Sequence, residues 1–279
     1  MTFVPPAGRA STGLTAESLT HVRDPIRLTR LLDQALCGLD FPEQGSLRKG
    51  FDDLTHIYRP QAYASAPLEA WLSRHGQPGM RKALFLGMNP GPWGMGQTGI
   101  PFGDPELVRT WMGIDSPVVV PEGMRGDRPV IGLHATRRES SGQNLYGWAR
   151  GLFPDADAFF RTACVVNFCP LLFFDANGRN VIPTDFRKGV SAAEAMTAWC
   201  DAALLGWLRM MAPEWVVGVG LYAAGRLSVA CATLRDLEGQ APRLVAIIHP
   251  SPQTRGHWGP TGWAPYVTRQ MAEAGLIWP

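Results

Sequence analysis

The chain's pattern predicts an α/β fold, a three-layer sandwich about a central, mostly parallel sheet of four strands. Four short apolar runs, at 82–88, 162–168, 215–219 and 244–248, have strand length and are rich in branched or aromatic residues. Helix-period segments separate them, and strands alternating with helices imply parallel pairing with both sheet faces covered. Neither a repeat nor a linker interrupts the pattern, so one domain over 23–279 is expected.

Residues 1–22 are rich in Pro, Gly, Ser and Thr and read as a poorly ordered leader. A helix is predicted over 25–39, where Ile26, Leu28, Leu31, Leu32 and Leu36 make an apolar face. Little periodicity marks 41–66, which reads as connecting structure. Helices over 144–153, Ser191–Met211 and 223–234 precede the second, third and fourth runs. The longest opens with a capping box, Ser191 to Glu194, and stops at Pro213.

The composition, 46% apolar and 18% charged, is that of a globular chain with a sizeable core, and its 10 Trp and 24 Pro imply shaped loops. A net charge of +2 is too small to indicate a polyanionic partner, so any nucleic-acid role must rest on local basic clusters. The five cysteines show no CxxC spacing, which argues for buried free thiols and against a disulfide framework, a zinc site or an iron–sulfur cluster. Residues 1–20 carry no apolar signal segment and no run approaches about 18 apolar residues, so a cytoplasmic protein without a membrane partner is expected.

In open α/β sheets, ligands bind beyond the carboxyl ends of the strands. The first run leads into Gly87-Met88-Asn89-Pro90-Gly91-Pro92-Trp93-Gly94-Met95, the second ends in Val166-Asn167-Phe168-Cys169-Pro170, and the fourth runs into His249-Pro250-Ser251-Pro252. Two carboxamides and an imidazole are thereby expected at one sheet edge. Each has a plainer reading: Asn89 as a turn former before Pro90, Asn167 as a structural amide, His249 as a satisfied core histidine. Their joint placement favours a site. No Asp or Glu stands at these ends, no GxxxxGK[ST] loop occurs, and Gly218-Val219-Gly220 is too short for a dinucleotide fingerprint. Such a neutral site suits a polar heterocycle and an oriented water, and no metal or cofactor is expected.

These segments resemble the single-strand-selective monofunctional uracil-DNA glycosylases of the uracil-DNA glycosylase superfamily. The string from Gly87 to Gly103, ending Gly96-Gln97-Thr98-Gly99-Ile100-Pro101-Phe102-Gly103, is nearly the family's own, with Phe usual at Trp93 and Ala at Gly96. Asn167-Phe168-Cys169-Pro170-Leu171 with Gly178-Arg179-Asn180, and His249-Pro250-Ser251-Pro252 with Gly262-Trp263, match two further family segments. The resemblance runs from about Tyr58 to the C-terminus and implies a uracil-DNA glycosylase-like fold that flips a base out of DNA.

By that resemblance Asn89 positions the attacking water and His249 steadies the departing base at its O2. Asn167 reads the base edge, Phe102 stacks on it, and Met88 and Gly91 line the pocket through their backbones. Gly91 would leave room near pyrimidine C5, as 5-hydroxymethyluracil requires. Ser251, Gln253, Thr254 and Arg255 would contact DNA, with either Gln253 or Arg255 as the wedge that fills the gap. Arg179 and Lys188 would lie along the strand, on single- or double-stranded DNA. One site per chain makes a monomer sufficient. Three other readings stay open: action on deaminated purines, because Trp93 and Gly96 depart from the family string; a non-catalytic binder of single-stranded or damaged DNA; and a small-molecule α/β hydrolase.

Overall fold

The computed structural model describes residues 14–279. Seven strands among the described residues form two sheets: β1 (Leu54–Tyr58), β2 (Ala83–Gly87), β3 (Ala163–Asn167), β4 (Leu172–Asp175), β5 (Asn180–Val181), β6 (Trp215–Val219) and β7 (Arg243–Ile247). The main sheet runs β3-β2-β6-β7 with every pair parallel, in the register Gly87 to Asn167 and Gly218 to Ala246. Every residue of β2 and β6 is buried, which is why each reads as an unbroken apolar run; the edge strand β7 exposes Arg243, Leu244 and Ala246.

Helices flank this sheet in two groups. Ser140–Leu152 packs with Trp263–Glu273, and Ser191–Met211 packs with Leu221–Glu238. Pro25–Cys37 starts where expected: Asp24 accepts the Arg27 N–H at 2.8 Å and Pro25 takes the first turn, where its missing N–H costs nothing. Beneath the sheet lies an aromatic cluster in which Phe159 and Phe160 meet edge to face at 5.0 Å and Tyr146 meets Phe160 at 6.0 Å.

Four expectations are corrected. The leader over 1–22 is ordered from 14 onward: Thr15 caps Ala16–Leu19, and Leu14, Ala16 and Leu19 are buried in the main core, while 1–13 lie outside the described residues. The stretch 41–66 is not mere connection, since it supplies β1, which joins the antiparallel sheet β1-β4-β5. Its partner lies more than a hundred residues later, and its burial follows no clean alternation, because Ile57 faces solvent while Leu54 and Tyr58 are buried. Ser191 is not a cap: Val190 holds that place without a side-chain bond, although Glu194 does reach back to accept the Gly189 N–H at 3.0 Å. Four of the five thiols are buried, but Cys37 is exposed and accepts from Arg59.

Candidate active site

The three polar residues at the strand ends meet. Asn89 follows β2, Asn167 ends β3 and His249 follows β7, and all three line one cleft of about 900 Å³ at the carboxyl edge of the parallel sheet. Met88, Gly91 and Phe102 line it as well. Backbone bonds stitch the first two loops together: the Phe168 N–H donates to the Gly87 carbonyl and the Cys169 N–H to the Met88 carbonyl, both at 2.9 Å.

Gly87 makes the junction possible. A Cβ there would collide with Asn167 Oδ1 and stand 2.6 Å from the Phe102 ring, so only glycine lets both side chains lie across the strand end. Phe102 is held at φ 55°, a left-handed conformation that costs a bulky residue about 1–3 kcal/mol and is kept where the surroundings over-determine it. Here the determinants are Tyr146, whose hydroxyl donates to the Pro101 carbonyl at 2.6 Å, and Thr98, whose hydroxyl bonds the Gly103 carbonyl at 3.1 Å. The Phe102 ring thus comes within 6.3 Å of the His249 ring, centroid to centroid.

The hydrogen bonds fix what each polar group has left to offer. The Ser251 N–H donates to His249 Nδ1 at 3.1 Å, so a neutral imidazole must carry its proton on Nε2. Burial lowers the His249 pKa to about 4, which makes that neutral tautomer the form present at ordinary pH. The Asn89 Nδ2 donates to the Pro90 carbonyl at 3.3 Å, leaving Oδ1 as its open acceptor. The Asn167 Nδ2 reaches only Met95 Sδ, at 3.2 Å, and its Oδ1 is buried without a hydrogen-bond partner among the described residues. An unpaired buried acceptor costs roughly 1–3 kcal/mol, and a ligand N–H would recover that cost. The constellation offers one neutral donor, one acceptor for water and one amide for a heterocycle edge.

No family model matches the chain. It is 35% identical to the mouse single-strand selective monofunctional uracil DNA glycosylase over 278 residues, 95% of this chain and 92% of that protein. It is 37% identical to the rat protein of the same description over 248 residues, 88% and 82% of the two, and 37% identical to the bovine one over 221 residues, 79% and 78%. The chain belongs to the single-strand selective monofunctional uracil-DNA glycosylase family. The crystal structure of SMUG2 from Pedobacter heparinus superposes with a TM-score of 0.56 at 20% identity, covering 88% of this chain and 95% of that one, a likeness of fold.

The residues expected to touch DNA in this glycosylase-family chain divide. Ser251 and Gln253 line the cleft; Arg255 is exposed at the start of the short helix Arg255–Trp258 and does not. Thr254 serves the loop itself, its hydroxyl bonding the His249 and Ser251 carbonyls at 2.5 and 2.9 Å. Arg179 is engaged within the fold: it pairs with the fully buried Asp175 at 2.6 Å and with Asp52 at 3.0 Å, and donates to the Gly50 carbonyl. Lys188 is exposed in a turn outside the cleft, whereas Asn180, Ile182 and Asp185 of the same segment line it.

Several cleft residues escaped the sequence reading. Placing the helix start at 144 hid Arg137, Arg138 and Glu139, which line the cleft at the true start of Ser140–Leu152. Glu139 Oε1 accepts the Ser141 N–H at 3.0 Å, and burial pushes its carboxyl above the usual range, with Arg137 partly opposing. Glu139 also bounds the space beside Gly91: a Cβ there would stand 2.8 Å from Glu139 Oε2. Gly96 packs beneath the Gly91 carbonyl, where an added Cβ would stand 2.8 Å from that oxygen, and it is outside the cleft lining. Trp93 lines the cleft, with the Arg137 guanidinium 4.3 Å from its ring.

Proposed function

We propose that the chain is a monofunctional DNA glycosylase of base excision repair that flips uracil, or a 5-substituted uracil, out of DNA and hydrolyses its N-glycosidic bond. The single observation that carries this reading is the meeting of Asn89, Asn167 and a neutral His249 around one cleft, at strand ends that bear no carboxylate; the cleft's own acids, Glu139 and Asp185, are engaged by the Ser141 N–H and by Arg48.

An amide is too weak a base to activate water for direct displacement, so the chemistry must be dissociative. The bond to the base lengthens first, the sugar takes oxocarbenium character, and the water held at Asn89 Oδ1 collapses onto the anomeric carbon, its surplus proton passing through solvent to the released uracil anion. The difficult part is the departing uracil anion. His249 Nε2–H donates to pyrimidine O2 as charge gathers there, and one preorganised donor of this kind is worth about 3–4 kcal/mol. A neutral imidazole suffices for that task.

Asn167 supplies selectivity. Its unpaired Oδ1 accepts the uracil N3–H while the amide nitrogen turns from Met95 to O4. Cytosine presents an amino donor where uracil presents O4 and has no N3–H, a mismatch worth about 1–3 kcal/mol for each buried bond unmade. Phe102, already fixed at the cleft wall, stacks on the flipped base for about 1–3 kcal/mol.

The test is an assay of base release from single- and double-stranded oligonucleotides that each carry one uracil, 5-hydroxymethyluracil, xanthine or hypoxanthine. The reading expects release of the pyrimidines in the presence of a chelator, with strand breakage only after alkali, since no lysine stands at the strand ends to form a Schiff base. Release of purines alone, or breakage without alkali, would overturn it.

A further inference from the structure

Four arginines line the cleft: Arg48, Arg128, Arg137 and Arg138. Three are already answered by acids. Arg48 pairs with Asp185 at 2.8 Å, Arg128 with Asp127 at 3.4 Å, and Arg138 with the fully buried Asp104 at 2.9 Å and with Glu106. Arg137 alone of the four has no acid within salt-bridge distance and no side-chain hydrogen bond among the described residues. It is exposed, yet not adrift, because its guanidinium lies 4.3 Å from the centroid of Trp93, a residue of the same turn that carries Asn89. Glu139, two residues on, gives its Oε1 to the Ser141 N–H.

Stacking engages the flat face of a guanidinium and leaves its in-plane N–H groups free. Those edge donors match the oxygens of a phosphate in a bidentate fork. The cleft, about 900 Å³, is at the upper end of what a drug-sized ligand fills and larger than a single pyrimidine needs, which leaves room for the sugar and phosphate of the strand beside the base. A cation pre-set on an aromatic plate at this place has one evident use. From these observations we infer that Arg137, held over Trp93, clamps a backbone phosphate of the DNA strand beside the flipped nucleotide. This rests on the glycosylase reading above and adds to it the phosphate ligand, which neither Arg179 nor Lys188 supplies from the cleft.

The experiment measures the affinity of full-length wild type, Arg137→Ala, Arg137→Lys and Trp93→Phe for a uracil-containing single-stranded oligonucleotide across a series of KCl concentrations, alongside base release. Arg235→Ala, an exposed change on Leu221–Glu238 outside the cleft, is the charge-matched control. Loss of one phosphate contact on a single strand lowers the slope of log K against log salt by about 0.7. Arg137→Ala is expected to show that loss and to bind about tenfold more weakly at low salt. Arg137→Lys, which keeps the charge but not the fork, should keep the slope and bind more weakly, and Arg235→Ala should match wild type. A purely structural role would not move the slope. An active wild type whose slope and affinity survive Arg137→Ala unchanged overturns the clamp and leaves the glycosylase reading standing; a wild type that neither binds DNA nor releases base overturns both.

Discussion

Replacing His249 by alanine tests the charge-stabilising half of the mechanism. The ring can donate only from Nε2, because Nδ1 is taken by the Ser251 N–H, and it does so neutral, because burial holds its pKa to about 4. Removing one preorganised donor to a developing anion costs about 3–4 kcal/mol, which is a rate lowered roughly 10²–10³-fold. The assay is single-turnover base release with enzyme in excess, so that binding and product release do not enter. The same assay across pH adds a second reading. A neutral donor gives wild type a flat profile from about pH 5.5 to 8, and a fall below about 5 as Nδ1 gains a proton that opposes the Ser251 N–H. A loss under fivefold in His249→Ala would refute the reasoning, as would a wild-type rate that climbs steadily as pH drops from 8 to 6, the signature of an imidazolium donor.

Asn167→Ala should lower uracil release by about 1–3 kcal/mol, some 5- to 150-fold, while leaving affinity for undamaged strands unchanged by fluorescence anisotropy. Arg179→Ala should act on stability rather than on DNA: it removes the guanidinium from buried Asp175, which keeps the backbone N–H groups of Asp52, Asn177 and residue 179, a loss of about 1.5–3 kcal/mol visible in urea unfolding, with the salt dependence of binding unaltered. His75 is a second histidine whose pKa burial lowers to about 4, against the ordinary 6.5. Between those values the unfolded chain binds the extra proton, so this contribution is present above pH 6.5 and is lost as pH falls toward 4, up to about 3 kcal/mol. His75→Gln should flatten that part of the pH–stability curve measured by denaturant unfolding.

What could be read from the chain, and what could not, follows from range. The strands β2 and β6 were legible because burial on both faces leaves nothing but apolar residues to alternate. Asn89, Asn167 and His249 were legible as a site because parallel strands deliver their carboxyl ends to one edge, so order along the chain implied proximity. β1 was not, since Leu54 and Tyr58 owe their burial to partners that the chain reaches only at Asp175 and Leu172. Charge was the least legible property. Arg179 and Arg137 look alike in sequence, yet one is salt-bridged to a carboxylate inside the fold and the other forms no salt bridge among the described residues, a distinction made by Asp175 and Asp52 on one side and Trp93 on the other.

The roles of Asn89, Asn167 and His249 all depend on where an extruded uracil sits. The most direct measurement is a crystal structure of Asn89→Ala, slowed in hydrolysis, bound to a single-stranded oligonucleotide with one uracil. It should place the ring against Phe102, with O2 within hydrogen-bond distance of His249 Nε2 and N3 facing Asn167 Oδ1. A uracil bound elsewhere, or seated in the cleft with O2 turned away from His249, would contradict it.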